Sequence, residues 1–398
     1  MKRPHLKRSL SILYVLIFIA LTFLFFTNDF GLLDLRKTSV VIGVALDIND
    51  GEVELTAQLA VPQPAENGEN TKFNVVSGNG ATVAAALNDV NVKTGYYPKL
   101  VFCKLIILGE SCFNEDLTRL LDYFYRNEYT GLTLSVAACQ GNAGELIGQQ
   151  FPCGNSATDV IDKLLSSEAQ ASGNVTATTL KKIGETLFSK SGSAYMPYLE
   201  NGILEDSEGG GEEGGGGSGG SGGGGGNQQC GESELTCDKC AIFRNGYCAG
   251  VLPQRETFVL SLIENEVNHA FMESGEGEDT VVLGLRNCKG EVGLKFEKDK
   301  PVVEFKFKAT AKVQDSAEGF SPKTVAESHN DKDVLKQGEQ TLSMLFNSLV
   351  DILKQSDCDA LGLRTKLYKQ YYGKFEKYGE TLLNDAQIKC DIKLKSAG

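Results

Sequence analysis

Histidine is scarce in this chain of 398 residues. His5, His269 and His329 stand far apart, so the usual sources of general-base and zinc-water chemistry are thin. No Gly-x-Gly-x-x-Gly signature, P-loop, Gly-x-Ser-x-Gly elbow or His-Glu-x-x-His helix occurs. The glycine run at 209–226 has no following Lys-Ser/Thr and no strand-helix context, so it is not a phosphate cradle. Positive charge is also short: 39 Lys and Arg face 52 Asp and Glu, a formal net charge of -13. Lys2, Arg3, Lys7 and Arg8 belong to the first eight residues, which leaves the rest more acidic still. Such a surface repels phosphate backbones and gains nothing from counterion release, which argues against nucleic acid as a partner. Cysteine is missing before Cys103, so no thiol beside the amino terminus is available to carry a lipid.

The longest charge-free stretch runs from Ser9 to Asn28 and is almost wholly apolar from Ile12 to Leu21. A helix of about 20 residues rises about 30 Å, the thickness of a bilayer's hydrocarbon core. The expectation is a transmembrane helix at 9–28 with a cytoplasmic basic flank at 1–8, and the bulk of the chain beyond the membrane. A cleaved signal peptide is the rival reading. Its apolar segment is shorter and ends in a small-x-small site, whereas Phe25-Phe26-Thr27-Asn28-Asp29-Phe30 is bulky.

Beyond this segment strands and helices alternate. Val53, Leu55, Ala57, Leu59 and Val61 alternate with Glu54, Thr56, Gln58 and Ala60, and with Ser39–Asp47 and the Asn49-Asp50-Gly51 turn they predict a hairpin. Thr82–Leu87 is helical by propensity, Leu100–Leu108 is an apolar run, and Leu117, Leu120, Leu121 and Phe124 recur at helical spacing. Leu132–Ala138 reads as extended, and weaker helices are expected near Asp159–Leu165 and Thr179–Leu187. Residues 209–226 contain 14 glycines and cannot bury enough surface to offset ordering, so a flexible insertion is expected there. Further on, Val303, Phe305, Phe307, Ala309, Ala311 and Val313 alternate as a strand, and Leu342, Leu345, Phe346, Leu349, Val350 and Leu353 lie on one helix face. A second helix is expected over Thr365–Tyr378, with Leu367, Tyr371, Phe375 and Tyr378 inward. The last strand, Ile388–Leu394, is expected to pair near Phe305, since it would otherwise expose an apolar edge. The expected fold class is α+β: a transmembrane helix, then a three-domain mixed α/β exterior region. Its parts are an N-terminal region at 38–200, an acidic glycine-rich insertion at 201–229, a cysteine-containing middle region at 230–285 and a C-terminal α+β domain at 286–398.

Several segments resemble a known family. Asp34-Leu35-Arg36, Ile42-Gly43-Val44-Ala45-Leu46-Asp47 and Leu55-Thr56-Ala57-Gln58-Leu59 are similar to the opening of the Ger(x)C spore germination proteins, the C subunits of nutrient germinant receptors. Tyr97–Leu108 with Gly109-Glu110 resembles the family's strand ending in Gly-Glu, and Leu121-Asp122-Tyr123-Phe124-Tyr125-Arg126 its Leu-Asp-Phe-x-x-Arg helix. Ala241-Ile242-Phe243-Arg244 with Gly250-Val251-Leu252 resembles the opening of its carboxy-terminal domain. Ser356-Asp357 with Leu361-Gly362-Leu363, and Tyr368 with Tyr371–Tyr378, resemble its closing motifs. The resemblance implies a non-enzymatic protein on the outer face of the spore inner membrane, folded into three mixed domains. It would work beside a multi-spanning A-type subunit and a permease-like B-type subunit in the response to small nutrients, with membrane lipid as a further partner and no cofactor. The alternative is a membrane-anchored structural or adhesion module that kept the fold without the receptor. Three departures stand out. Phe30-Gly31-Leu32-Leu33 occupies the place of the family's lipidated cysteine, the glycine-rich insertion and its neighbouring cysteines are added, and the family's carboxy-terminal tryptophan is missing from a chain with no Trp.

Candidate sites are few. Cys230, Cys237, Cys240 and Cys248 lie close together, and the two-residue spacing of Cys237-Asp238-Lys239-Cys240 suits two thiolates on one zinc ion. Outside the cytoplasm two disulfides are the preferred reading of the same residues. Cys103, Cys112 and Cys139 lie in apolar runs and read as buried hydrophobes. Asp116, Asp122, Arg126 and Glu128 read as the polar side of an amphipathic helix, with Asp122 and Arg126 paired at i,i+4. Lys366, Lys369, Lys374 and Lys377 form a basic face with aromatic neighbours, read as solvated surface, with anionic lipid as the weaker alternative.

Overall fold

The computed structural model describes residues 13–23, 38–61, 72–151, 156–203, 233–264, 267–275, 280–316 and 332–396. Residues 13–23 are helical, and the rest of the expected span at 9–28 lies outside the described residues. Among the described residues no helix is long and apolar enough to cross a membrane. The basic flank, residues 204–229 of the expected insertion, and Cys230 also lie outside them.

The large sheet starts with the expected hairpin. Strands β1 (Thr38–Asn49) and β2 (Glu52–Val61) pair antiparallel around Asp50 and Gly51, whose positive φ angles suit the two-residue turn. Strand β3 (Lys72–Gly80) extends the hairpin outward, and β4 (Tyr97–Lys99) pairs with β1. On its other side β1 runs parallel to β5 (Leu105–Leu108), then to β6 (Ser135–Cys139) and β7 (Ser193–Ile203). Strands β8 (Ser233–Arg244) and β9 (Tyr247–Leu252) close the sheet antiparallel.

Helices cover both faces of its parallel part. Ile106 and Leu108 of β5 enter a core with helices α1 (Val83–Thr94), α2 (Leu117–Arg126) and a later helix at Leu180–Leu187. Leu105 and Ile107 enter another with α3 (Ala143–Gly148) and α4 (Ala157–Leu164). A two-sided strand of this kind reads as an unbroken apolar run, which is why Leu105–Leu108 shows no alternation. The helix at Leu117–Arg126 buries the four residues picked out by its periodicity, and Asp116 caps it by accepting the Thr118 N–H at 2.8 Å.

A second sheet contains β10 (His269–Ser274), β11 (Val281–Glu297), β12 (Lys300–Ser316) and β13 (Gln387–Ser396). The terminal strand pairs with β12 as expected, in parallel, with Cys390 opposite Phe305. The long helix Lys332–Gln355 lays its apolar face on this sheet, and Phe346 stacks on Phe305 with ring centroids 4.3 Å apart. Residues 230–285, expected as a region of their own, are divided: β8 and β9 complete the large sheet, while β10 and the start of β11 open the small one. Between them the helix Gln254–Ile263 buries every residue from Glu256 to Ile263. Its apolar residues share one core with Cys240, Ile242 and Leu252 from the large sheet and Phe305 and Leu342 from the C-terminal half. Its buried polar groups are partnered, Glu256 by the Ser348 hydroxyl and Ser261 by Thr176, so the helix is enclosed on all sides and joins the halves.

The expected helix over Thr365–Tyr378 is two helices, Leu363–Gln370 and Tyr372–Tyr378. They break at Tyr371, whose φ of -137° is not helical, where its ring packs on Phe296 at 5.1 Å and its hydroxyl donates to the Leu294 carbonyl at 3.4 Å.

Candidate functional site: a carboxylate crevice and a tie between the halves

The carboxyl ends of β1, β5 and β6 lie side by side, the edge where open α/β sheets most often present function. A crevice of about 520 Å³ opens there, lined by Asp47, Glu54, Glu110, Ser111, Gly141 and Asn142 among others. Asp47 is 3% exposed. Its Oδ1 accepts the Ala143 N–H at 3.0 Å and the Ser111 hydroxyl at 3.4 Å, while Oδ2 accepts the Gly144 N–H at 2.8 Å. Burial pushes the Asp47 carboxyl above its ordinary value, with the N–H donors of Ala143 and Gly144 opposing and Glu54 adding to the rise. The carboxylate therefore ties β1 to the start of α3 and to the turn after β5.

Gly109 completes this arrangement. A β-carbon on it would overlap Asp47 Oδ1, so the glycine of the Gly-Glu pair after β5 leaves room for the aspartate that ends the Ile42–Asp47 segment. Glu110 also accepts the Gly141 N–H, at 3.2 Å. The two segments were legible separately in the sequence, and their meeting was not. Chemically the crevice offers carboxylates, the Ser111 hydroxyl and the amides of Asn49 and Asn142. The neighbouring Cys112 thiol is pushed up to about 12 by burial, so it is neutral near pH 7 and no activated nucleophile.

A second cluster connects the large sheet to the C-terminal half. Asp357 makes ion pairs with Arg244 at the end of β8 and with Arg364. Asp359 is 1% exposed and caps the helix at Leu363–Gln370, accepting the Leu363 N–H at 2.8 Å and the Arg364 N–H at 2.7 Å. Its own N–H donates to Ser193 Oγ of β7 at 2.9 Å. Burial raises the Asp359 carboxyl above its ordinary value, against the opposing N–H bond from Arg364. Ser191 and Thr365 exchange backbone and hydroxyl hydrogen bonds at 2.8–3.2 Å. The Arg244 segment and the Asp357–Leu363 segment thus form one polar tie.

The remaining sequence candidates are distributed differently. Cys237, Cys240 and Cys248 are free thiols belonging to three different apolar clusters. Among the described residues no three His, Cys, Asp or Glu side chains stand together as metal ligands. Burial pushes Cys237 up to about 12 and raises Cys240 as well. Cys103, Cys112 and Cys139 are buried, as their apolar surroundings suggest. Arg126 pairs with Asp122 at 2.8 Å on an exposed face, as the spacing predicts. Glu128 lies beside the Tyr129 hydroxyl and raises its pKa. Three of the four lysines are engaged within the fold, and Lys369 is exposed. Asp299 takes Lys374 at 3.0 Å and Lys377 at 2.6 Å, and Lys366 turns inward to the Val292 carbonyl at 2.7 Å. Asp299 escaped the sequence reading because it lies 75 residues from Lys374.

Two family models match this chain. "Spore germination protein N-terminal domain" covers residues 33–201, and "Spore germination B3/ GerAC like, C-terminal" covers residues 238–396. No curated protein matches it. Among solved structures, "Crystal Structure of the GerBC protein" is similar at 16% identity and a TM-score of 0.49, over 89% of this chain and 96% of that one.

Proposed function

The chain belongs to the GerAC-like family of spore germination proteins, and from that premise we propose that it is a non-enzymatic subunit of a nutrient germinant receptor-like complex. In this reading it is held at the spore inner membrane by its amino-terminal segment, with its bulk on the outer face. Its partners are a multi-spanning A-type subunit and a permease-like B-type subunit, and its task is assembly or signal coupling with no cofactor required.

The observation that carries the reading is the tie between the large sheet and the C-terminal half, in which Asp359 and Thr365 of the second matched region bond Ser193 and Ser191 of the first. Arg244, Asp357, Asp359 and Arg364 come from segments that resemble family motifs or adjoin them, and their contacts hold the Asp357–Arg364 segment against β7 and β8 of the large sheet. A subunit that relays a change between partners needs this rigidity, because loosely joined domains dissipate displacement. The crevice at Asp47 supports the non-enzymatic part, since its buried carboxylate is committed to the Ala143 and Gly144 N–H groups.

The test is germination of spores lacking the chain, complemented with the wild type or with Arg244→Ala plus Arg364→Ala. The reading expects nutrient-triggered germination to be lost on deletion, restored by the wild type and reduced by the double variant, with non-nutrient triggers unaffected. An unchanged nutrient response in the deletion strain, across a broad panel of nutrients, would oppose it.

A further inference from the structure

At the amino-terminal edge of the parallel strands, opposite the crevice, several large apolar side chains face outward. Tyr97 is 50% exposed, Val101 43%, Phe102 56%, Tyr129 41% and Leu132 45%. The parallel register joins their loops. Leu105 lies opposite both Gly43 and Ser135, so Phe102 and Leu132 each stand three residues upstream of matched positions. The Lys104 N–H donates to the Ile42 carbonyl at 2.9 Å and the Ser135 N–H to the Lys104 carbonyl at 2.8 Å, which fixes both loops beside the first half of β1. Lys99 Nζ lies 5.1 Å from the Tyr97 ring centroid and 4.7 Å from that of Tyr129, so an ammonium is seated between two aromatic faces.

Exposed aromatics of this kind, contiguous and with polar ends, suit a boundary between apolar and wet surroundings. The course of the chain argues that this boundary is lipid. β1 begins at Thr38 on this same edge, and only nine residues separate it from Asn28, the end of the uncharged segment. Nine extended residues span at most about 30 Å. We propose that this rim is a bilayer-contacting face, with Tyr97, Val101, Phe102 and Leu132 seated at the boundary between headgroups and acyl chains. The proposal rests on the membrane reading above. Net charge contributes little to it: Lys104 is paired with Asp159 at 3.4 Å and Asp162 at 3.9 Å, and Glu128 flanks Tyr129, so the contact does not depend on anionic lipid.

The lack of tryptophan makes a direct test possible. Phe102→Trp and, separately, Tyr97→Trp place a sole indole on the rim, and Glu52→Trp places one on the exposed turn at the far end of β1. Each full-length variant is reconstituted into phosphatidylcholine vesicles with or without brominated acyl chains, and floated on a gradient. The expected result is co-flotation of all three, with both rim indoles blue-shifted and quenched about twofold or more by brominated lipid, Glu52→Trp unquenched, and no change when anionic lipid is added. Co-flotation with rim indoles quenched no more than Glu52→Trp overturns the proposal and leaves the anchor reading standing. A blue shift without quenching assigns the rim to a protein contact and overturns it as well. Failure to float removes both the anchor reading and the proposal.

Discussion

Asp47 occupies the space that any side chain on Gly109 would need, so the two residues specify each other across the carboxyl ends of β1 and β5. Gly109→Ala is expected to destabilise the protein by about 1–3 kcal/mol through overpacking. Asp47→Ala should cost about 1–3 kcal/mol by orphaning the Ala143 and Gly144 N–H groups. Because the alanine at 109 clashes with the carboxylate itself, the double variant should lose less than the sum of the two. Urea unfolding of all four proteins measures the coupling, and strict additivity would refute the contact.

Asp359 should behave as a buried cap. Asp359→Ala removes the acceptor of two N–H groups and is expected to cost about 1–3 kcal/mol, while Asp359→Asn, which keeps one acceptor oxygen, should cost less. The linkage sign is opposite to that of a surface ion pair. Its carboxyl is raised in the folded state, so its contribution to stability falls as pH rises from the ordinary aspartate value through the raised one. Denaturation midpoints of the wild type and Asp359→Asn should differ most in acid, and the wild type's lead should shrink towards neutral pH.

Asp299 supplies the contrasting case. Lys377 and Lys374 lower its carboxyl to about 2, so its contribution to stability is present above the ordinary aspartate range and is lost as pH falls through about 2. Asp299→Asn should therefore unfold at lower urea than the wild type near neutrality, and the gap should close as pH approaches about 2. A gap independent of pH would show that the lysines draw their stability from elsewhere.

Thiol chemistry separates buried cysteines from linked ones. In native protein near pH 8, Cys237 and Cys240 should resist alkylation, because burial keeps both neutral and covered, and Cys248 should react before them. After denaturation all three should alkylate without reductant. Peptide mass spectrometry reads the outcome, and a Cys237 or Cys240 that alkylates only after reduction would establish a disulfide there.

Features that depend on neighbours in sequence were legible before the structure. The inward set Leu117, Leu120, Leu121 and Phe124 follows from helical period, and the alternation of Ile388, Cys390, Ile392 and Leu394 marks the last strand, which pairs beside Phe305 as the outer strand of the small sheet. Features that depend on distant residues were not. Asp47 is held by N–H groups 96 and 97 positions away, and the lysines at 374 and 377 share the Asp299 carboxylate. The break at Tyr371 has only Gly373 as a local signal, and the Phe296 ring that Tyr371 packs on lies far away in sequence. The cysteine-containing middle region at 230–285 has strands that hydrogen-bonded register assigns to two sheets, a long-range pairing no local pattern shows.

Work inside a membrane receptor complex is the central property proposed for the chain. Affinity purification from sporulating cells through a carboxy-terminal tag, in gentle detergent, tests that directly. The account predicts recovery of a multi-spanning A-type subunit and a permease-like B-type subunit with the chain. Repeated recovery of the chain without either would contradict it.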